Sequence, residues 1–126
     1  MREVTRILIK SLELMKGGHW VSGSLHSAND NGETYCAMGA ISKAAEGTPR
    51  NVGTGNKPAD EAARILASVI RVPGGKRWCG DVDEQIANWN DEREQEDGFR
   101  TIKRGFCRAI RKSMEPAPRK KVKKAA

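Results

Sequence analysis

Aromatic side chains are scarce in this 126-residue chain: they make up 5% of it, with one tyrosine and two phenylalanines. Sheets packed on sheets draw on aromatic and β-branched residues, so the shortage argues for helix on helix through Ile, Leu, Val, Ala and Met. Histidine occurs only twice, which leaves few ligands for structural zinc, a metal that takes four and usually brings them in close pairs. The three cysteines, Cys36, Cys79 and Cys107, are an odd number lying 43 and 28 positions apart. That spacing excludes a disulfide framework and is read as reduced thiols in a cytoplasmic protein. No apolar run approaches the roughly 18 residues of a membrane span, and MREVTRILIK lacks the long apolar stretch of a secretory signal. One soluble domain is expected, without membrane contact, metal or cofactor, burying about two thirds of the surface that its unfolded chain exposes.

What the chain has in excess is positive charge at one end. Residues 1–97 hold 12 Lys and Arg against 15 Asp and Glu, net −3, whereas residues 98–126 hold 11 against Glu115 alone, net +10. Such asymmetry points to an arm or face that meets a polyanion.

Periodicity divides the chain into helices. Val4, Ile7, Leu8, Leu12 and Met15 recur at steps of three and four, and Gly17-Gly18 come next, which predicts an amphipathic helix over residues 2–16. The segment His19 to Leu25 is too short and glycine-broken for a helix. With a tight turn favoured at Asn31-Gly32 before Glu33-Thr34-Tyr35, a short β-hairpin or a pair of extended arms is expected near residues 19–35. Small residues from Cys36 or Ala37 to Ala45 predict a short helix that Gly47 and Thr48-Pro49 terminate. After a Gly- and Asn-rich loop, Pro58 can open a helix buried through Ala62, Ile65, Leu66, Val69 and Ile70, and Pro73-Gly74-Gly75 break it. Asp81 with Glu84 resembles a capping box at the start of a helix that buries Val82, Ile86 and Trp89 and ends near Asn90. The acidic connector DEREQED then precedes a last helix, from about Phe99 to Ser113, with Phe99, Ile102, Phe106, Ala109 and Ile110 facing inward. The fold class is therefore mainly α: a small bundle of four to five helices over residues 1–115, followed by a flexible basic tail over 116–126 that holds too little apolar surface to fold.

Three motifs invite a chemical reading. Cys36 stands at a helix start, where unpaired amides and the positive end of the dipole lower a thiol's pKa, and His19, His26, Asn90 and Asp91 are candidate partners. This gives the enzymatic alternative, a cysteine-dependent hydrolase or transferase using Cys36 with His19 and Asp91. A free cysteine among Ala37, Gly39, Ala40, Ala44 and Ala45 is more simply a small buried residue that lets helices touch, and no nucleophile signature surrounds it. The loop Gly53-Thr54-Gly55-Asn56-Lys57 lacks the G-K-[ST] ending of a phosphate-binding loop, so an ordinary glycine loop is favoured. In Asn88-Trp89-Asn90-Asp91 the plain reading has Trp89 as a core anchor, with Asn90 and Asp91 terminating one helix and capping the next segment.

The set His19-Trp20 with Gly23, Tyr35-Cys36-Ala37-Met38-Gly39-Ala40-Ile41, and Ile86-Ala87-Asn88-Trp89-Asn90-Asp91 resembles a family of small proteins of unknown function in actinobacteria and their phages. Those proteins carry W-C-Q-G, C-A-x-G-A and W-N-D segments in the same order. The likeness runs over residues 5–110. Val21 stands where the family often has cysteine, and the acidic connector is longer than usual. The resemblance implies a compact helical fold and no particular reaction.

The basic terminus carries the functional expectation. Arg100, Lys103, Arg104, Arg108, Arg111 and Lys112 fall largely on one helical face, and Arg119, Lys120, Lys121, Lys123 and Lys124 extend the charge along the tail. No helix-turn-helix, zinc-finger or RNA-recognition signature accompanies them. The expected function is non-enzymatic: binding of nucleic acid or a nucleoprotein such as a polymerase or ribosome. A third reading is a phage effector that occupies a host protein.

Overall fold

A computed structural model describes residues 1–30, 32–49, 55–71, 78–92 and 95–115, with the side chains of 95–97 excepted. The order of elements is α1 (Glu3–Met15), β1 (His26–Asn29), β2 (Gly32–Tyr35), α2 (Ala37–Glu46), α3 (Lys57–Val69), α4 (Val82–Asp91) and α5 (Gln95–Met114). The fold is thus mainly α: five helices with one two-stranded antiparallel hairpin. The expected glycine and proline break at 73–75, Gly53 and Thr54 of the loop at 53–57, and the tail beyond Glu115 lie outside the described residues.

Helix α1 lies at the centre because its apolar stripe is wide. Val4, Ile7, Leu8, Leu12 and Met15 are all buried, and the helix packs against α2, α3 and α5. Two hydroxyls extend that contact: Thr5 and Ser113 pair at 2.7 Å inside the core, and Arg2 donates to the Ser113 carbonyl at 2.9 Å. Pairing of this kind offsets the cost of burying a hydroxyl.

The helix ends obey their local chemistry. Asn56 and Asp81 cap α3 and α4 by accepting the Ala59 and Glu84 amide hydrogens, at 3.0 and 2.9 Å. Gly47 closes α2 in the left-handed conformation, φ +85°, where a side chain would be strained. Helix α5 begins at Gln95, four residues before the expected start at Phe99. The acidic sequence there carries no apolar period to reveal a helix, yet acids suit a first turn because they face the positive end of the dipole.

The hairpin falls within the expected stretch of residues 19–35. β2 pairs with His26–Asn29, placing Ser27 opposite Thr34 and His26 opposite Tyr35. The His19 segment lies on the other edge of β2 in a parallel sense. There Tyr35 N–H donates to His19 O at 2.8 Å and Val21 N–H to Tyr35 O at 3.1 Å.

Two glycines permit the tightest contacts. A Cβ on Gly39 would run into the carbonyl oxygen of Leu25, and one on Gly105 would strike the six-membered ring of Trp89. Overpacking of this kind costs about 1–3 kcal/mol. Gly39→Ala is therefore expected to reduce stability by that amount, read as a lower urea midpoint with an unchanged m-value, while Gly47→Asn, at an open left-handed site, changes stability far less.

Candidate functional site

In α5, steps of three and four separate an inner face from an outer one. Ile102, Gly105, Phe106, Ala109 and Ser113 are buried, whereas Arg100, Lys103, Arg104, Arg108, Arg111 and Lys112 are exposed. The cations from Arg100 to Arg111 line a shallow groove of about 370 Å³ that also contains Cys107. A second hollow, about 530 Å³, opens where α5 meets the end of α3 and adds Arg71 to Arg108, Arg111 and Lys112.

Arg71 was not singled out by the sequence, because its contribution depends on packing. Its guanidinium donates to the carbonyls of Ser68 and Ile70 at 2.9 and 2.8 Å, and Lys112 Nζ donates to Ser68 Oγ at 2.7 Å. Cations gather there because the last carbonyls of α3 point outward and carry the negative end of its dipole. Among the described residues the ion pairs are Arg2–Glu61 at 2.7 Å and His26–Glu33 at 3.2 Å, and neither engages the basic face of α5. Arg119, Lys120, Lys121, Lys123 and Lys124 lie outside the described residues.

The sequence motifs around Cys36 converge elsewhere, on the buried amide of Asn90. Its Oδ1 accepts Trp20 Nε1–H at 2.8 Å and Ala37 N–H at 3.0 Å, and its Nδ2 donates to Val21 O at 3.1 Å and Asp91 Oδ1 at 3.1 Å. Asp91 in turn accepts Gly23 N–H at 2.7 Å. Asn90 is 1% exposed and is the penultimate residue of α4, so the helix ends where expected and Asn90 adds a long-range role there. Trp89 is the core anchor that the sequence indicated, 6.4 Å from the Phe106 ring.

Cys36 is the N-cap of α2, 6% exposed, with its sulfur accepting Gly39 N–H at 3.4 Å. Burial pushes its thiol above the ordinary range and the charge of Asp91 adds to that, against a lowering by the backbone amides. Cys36 and Asp91 share a small cavity of about 160 Å³ whose lining does not include His19. The His19 ring bonds Glu33 O through Nδ1 at 2.8 Å, and His26 pairs with Glu33 on the hairpin. Among the described residues both histidines are thus hydrogen-bonded to Glu33 rather than to the thiol. Nor is there among them a group of three or more His, Cys, Asp or Glu that could hold a metal.

The profile of a Family of unknown function (DUF6197) matches residues 1–104. The chain belongs to that family. No curated protein and no solved structure is matched. The DUF6197 match takes in the Asn90 network and the hairpin, but of the cations on α5 it includes only Arg100, Lys103 and Arg104.

Two measurements test the Asn90 network and the buried thiol. Asn90→Ala leaves two buried N–H groups without an acceptor, each worth about 1–3 kcal/mol, so chemical denaturation should show a loss of about 3 kcal/mol. With the native protein at neutral pH, a thiol reagent should modify exposed Cys79 rapidly and Cys36 only at the rate of unfolding, because its raised pKa keeps the thiolate fraction low.

Proposed function

We propose that this chain is a non-enzymatic binding protein that engages nucleic acid, or a nucleoprotein, through the outer face of α5 and the basic tail beyond it. The observation that carries the reading is the unbroken row of exposed cations from Arg100 to Lys112, joined by Arg71, with no ion pair to it among the described residues. Cations that neutralise phosphates release condensed counterions, so such a face supplies affinity without reading base sequence. Arg104, Arg108 and Arg111 occupy three consecutive turns, and Lys103 and Lys112 broaden the strip. Arg119, Lys120, Lys121, Lys123 and Lys124 lengthen the same electrostatic footprint.

The resemblance to proteins of actinobacteria and their phages makes a bacterial cytoplasm, with a phage-encoded origin, the setting of this proposal. A host protein is reached by the same face if its docking surface is acidic. The hydrolase or transferase alternative gains no support from Cys36, whose buried sulfur accepts the Gly39 amide while both histidines bond Glu33.

Replacing Arg104, Arg108 and Arg111 together by serine should weaken binding to a labelled oligonucleotide at least tenfold at low salt. It should also flatten the plot of log K against log salt by about 3, since each phosphate contact contributes about −0.9 on duplex DNA. Fluorescence anisotropy measures both, with circular dichroism to confirm an unchanged fold. Equal affinity and slope for the variant would remove the basic face from the interface.

A further inference from the structure

A different concavity lies where the hairpin, the end of α1 and the start of α5 meet. It measures about 480 Å³, within the range of small-ligand pockets. Its floor is Met15 and Thr34, both buried, and its walls are Trp20, Val21 and Phe99, all half-buried. Ser27, directly opposite Thr34 in the hairpin register, brings a second hydroxyl to its edge. Among the described residues that line it, none is charged.

Two observations point to a ligand. The Thr34 hydroxyl is buried and has no hydrogen-bond partner among the described residues, a state that is costly unless something else supplies one. The walls include an indole and a phenyl ring, and the indole is held in place because its N–H is committed to Asn90. Flat apolar walls with neutral hydroxyls suit a planar, uncharged group that carries donors and acceptors on its edge. Position supplies the rest: Phe99 lines this cleft, and Lys103 comes one turn later, about 40° round the helix, on the basic groove that also contains Arg100.

The geometry points to a base-binding site: the cleft bounded by Trp20, Phe99 and Thr34 takes an unstacked nucleobase of a single strand whose phosphates lie along Arg100, Lys103 and Arg104. The inference rests on the proposed polyanion reading and makes it specific. Aromatic side chains that stack bases add affinity for strands regardless of sequence, whereas paired bases in a duplex are not free to enter.

The full-length protein would be titrated into three labelled probes of equal length at one salt concentration: a thymidine strand, the same backbone with abasic sites, and a mixed-sequence duplex. The intact strand should bind about tenfold more tightly than the abasic one, with quenching of tryptophan fluorescence. Phe99→Leu keeps apolar volume without a ring and should abolish that preference while leaving abasic-strand binding as it was. Should that variant fold poorly, Thr34→Val, which removes only the hydroxyl, should reduce the preference in its place. Equal affinity for intact and abasic strands would overturn the base site and leave the cationic face standing. Tighter binding to the duplex would do the same. Failure to bind any probe would overturn both.

Discussion

The side-chain amide of Asn90 is the constraint on which the rest of the architecture depends. A carboxamide taken out of water is costly unless its donors and acceptors are met. Here Oδ1 accepts from the Trp20 indole and from the first amide of α2, while Nδ2 donates to the backbone at Val21 and to Asp91. Three segments separated by tens of residues are therefore placed by one side chain. Once they are placed, α2 comes so close to the Leu25 carbonyl that only glycine fits at position 39, and the α4 indole presses on α5 where only glycine fits at 105. The polar network and the close packing specify each other.

That arrangement also bears on the cysteine at the N-terminus of α2. Activation of a thiol needs free amide hydrogens aimed at the sulfur and a base nearby. At α2 the Ala37 amide is turned to Asn90, the Ala40 amide bonds the Cys36 carbonyl, and the Gly39 amide meets the sulfur at 3.4 Å. The dipole end is thus largely satisfied by neutral acceptors, and burial outweighs what remains.

Much of the fold was legible in the sequence where information is local. The stripe of α1, the Gly47 stop, the Asp81 cap and the inward residues of α5 each derive from spacing or from one residue's conformational preference. Reading failed where partners are distant or where a helix has no apolar period. Asn90 at the end of α4 is legible, but its partners are not, because they lie 53 to 70 residues away. The start of α5 is not legible because its first turn contains only polar and acidic residues and a glycine. The hairpin is legible from the Asn31-Gly32 pair in the sequence, whereas the docking of the His19 segment on the opposite edge of β2 is not. The cations of α5 were legible from spacing alone; Arg71 was not, since only the packing of α3 against α5 brings it to them.

The same packing links the network to the outer surface. Trp20 has two duties: its N–H is tied inward to Asn90, and its ring forms one wall of the hairpin cleft. A ring free to rotate would offer that cleft no fixed wall, and ordering it on contact with a partner would oppose binding. With the indole held by a buried amide, the ordering cost is met during folding. Phe99 also lines the cleft from α5, whose register is set by Ile102 and Phe106 in the core. The outward cations share that register, since one helix cannot turn its apolar face inward without turning the basic one out. Core packing therefore aims the cleft and the charged face together, although none of the cations takes part in the core.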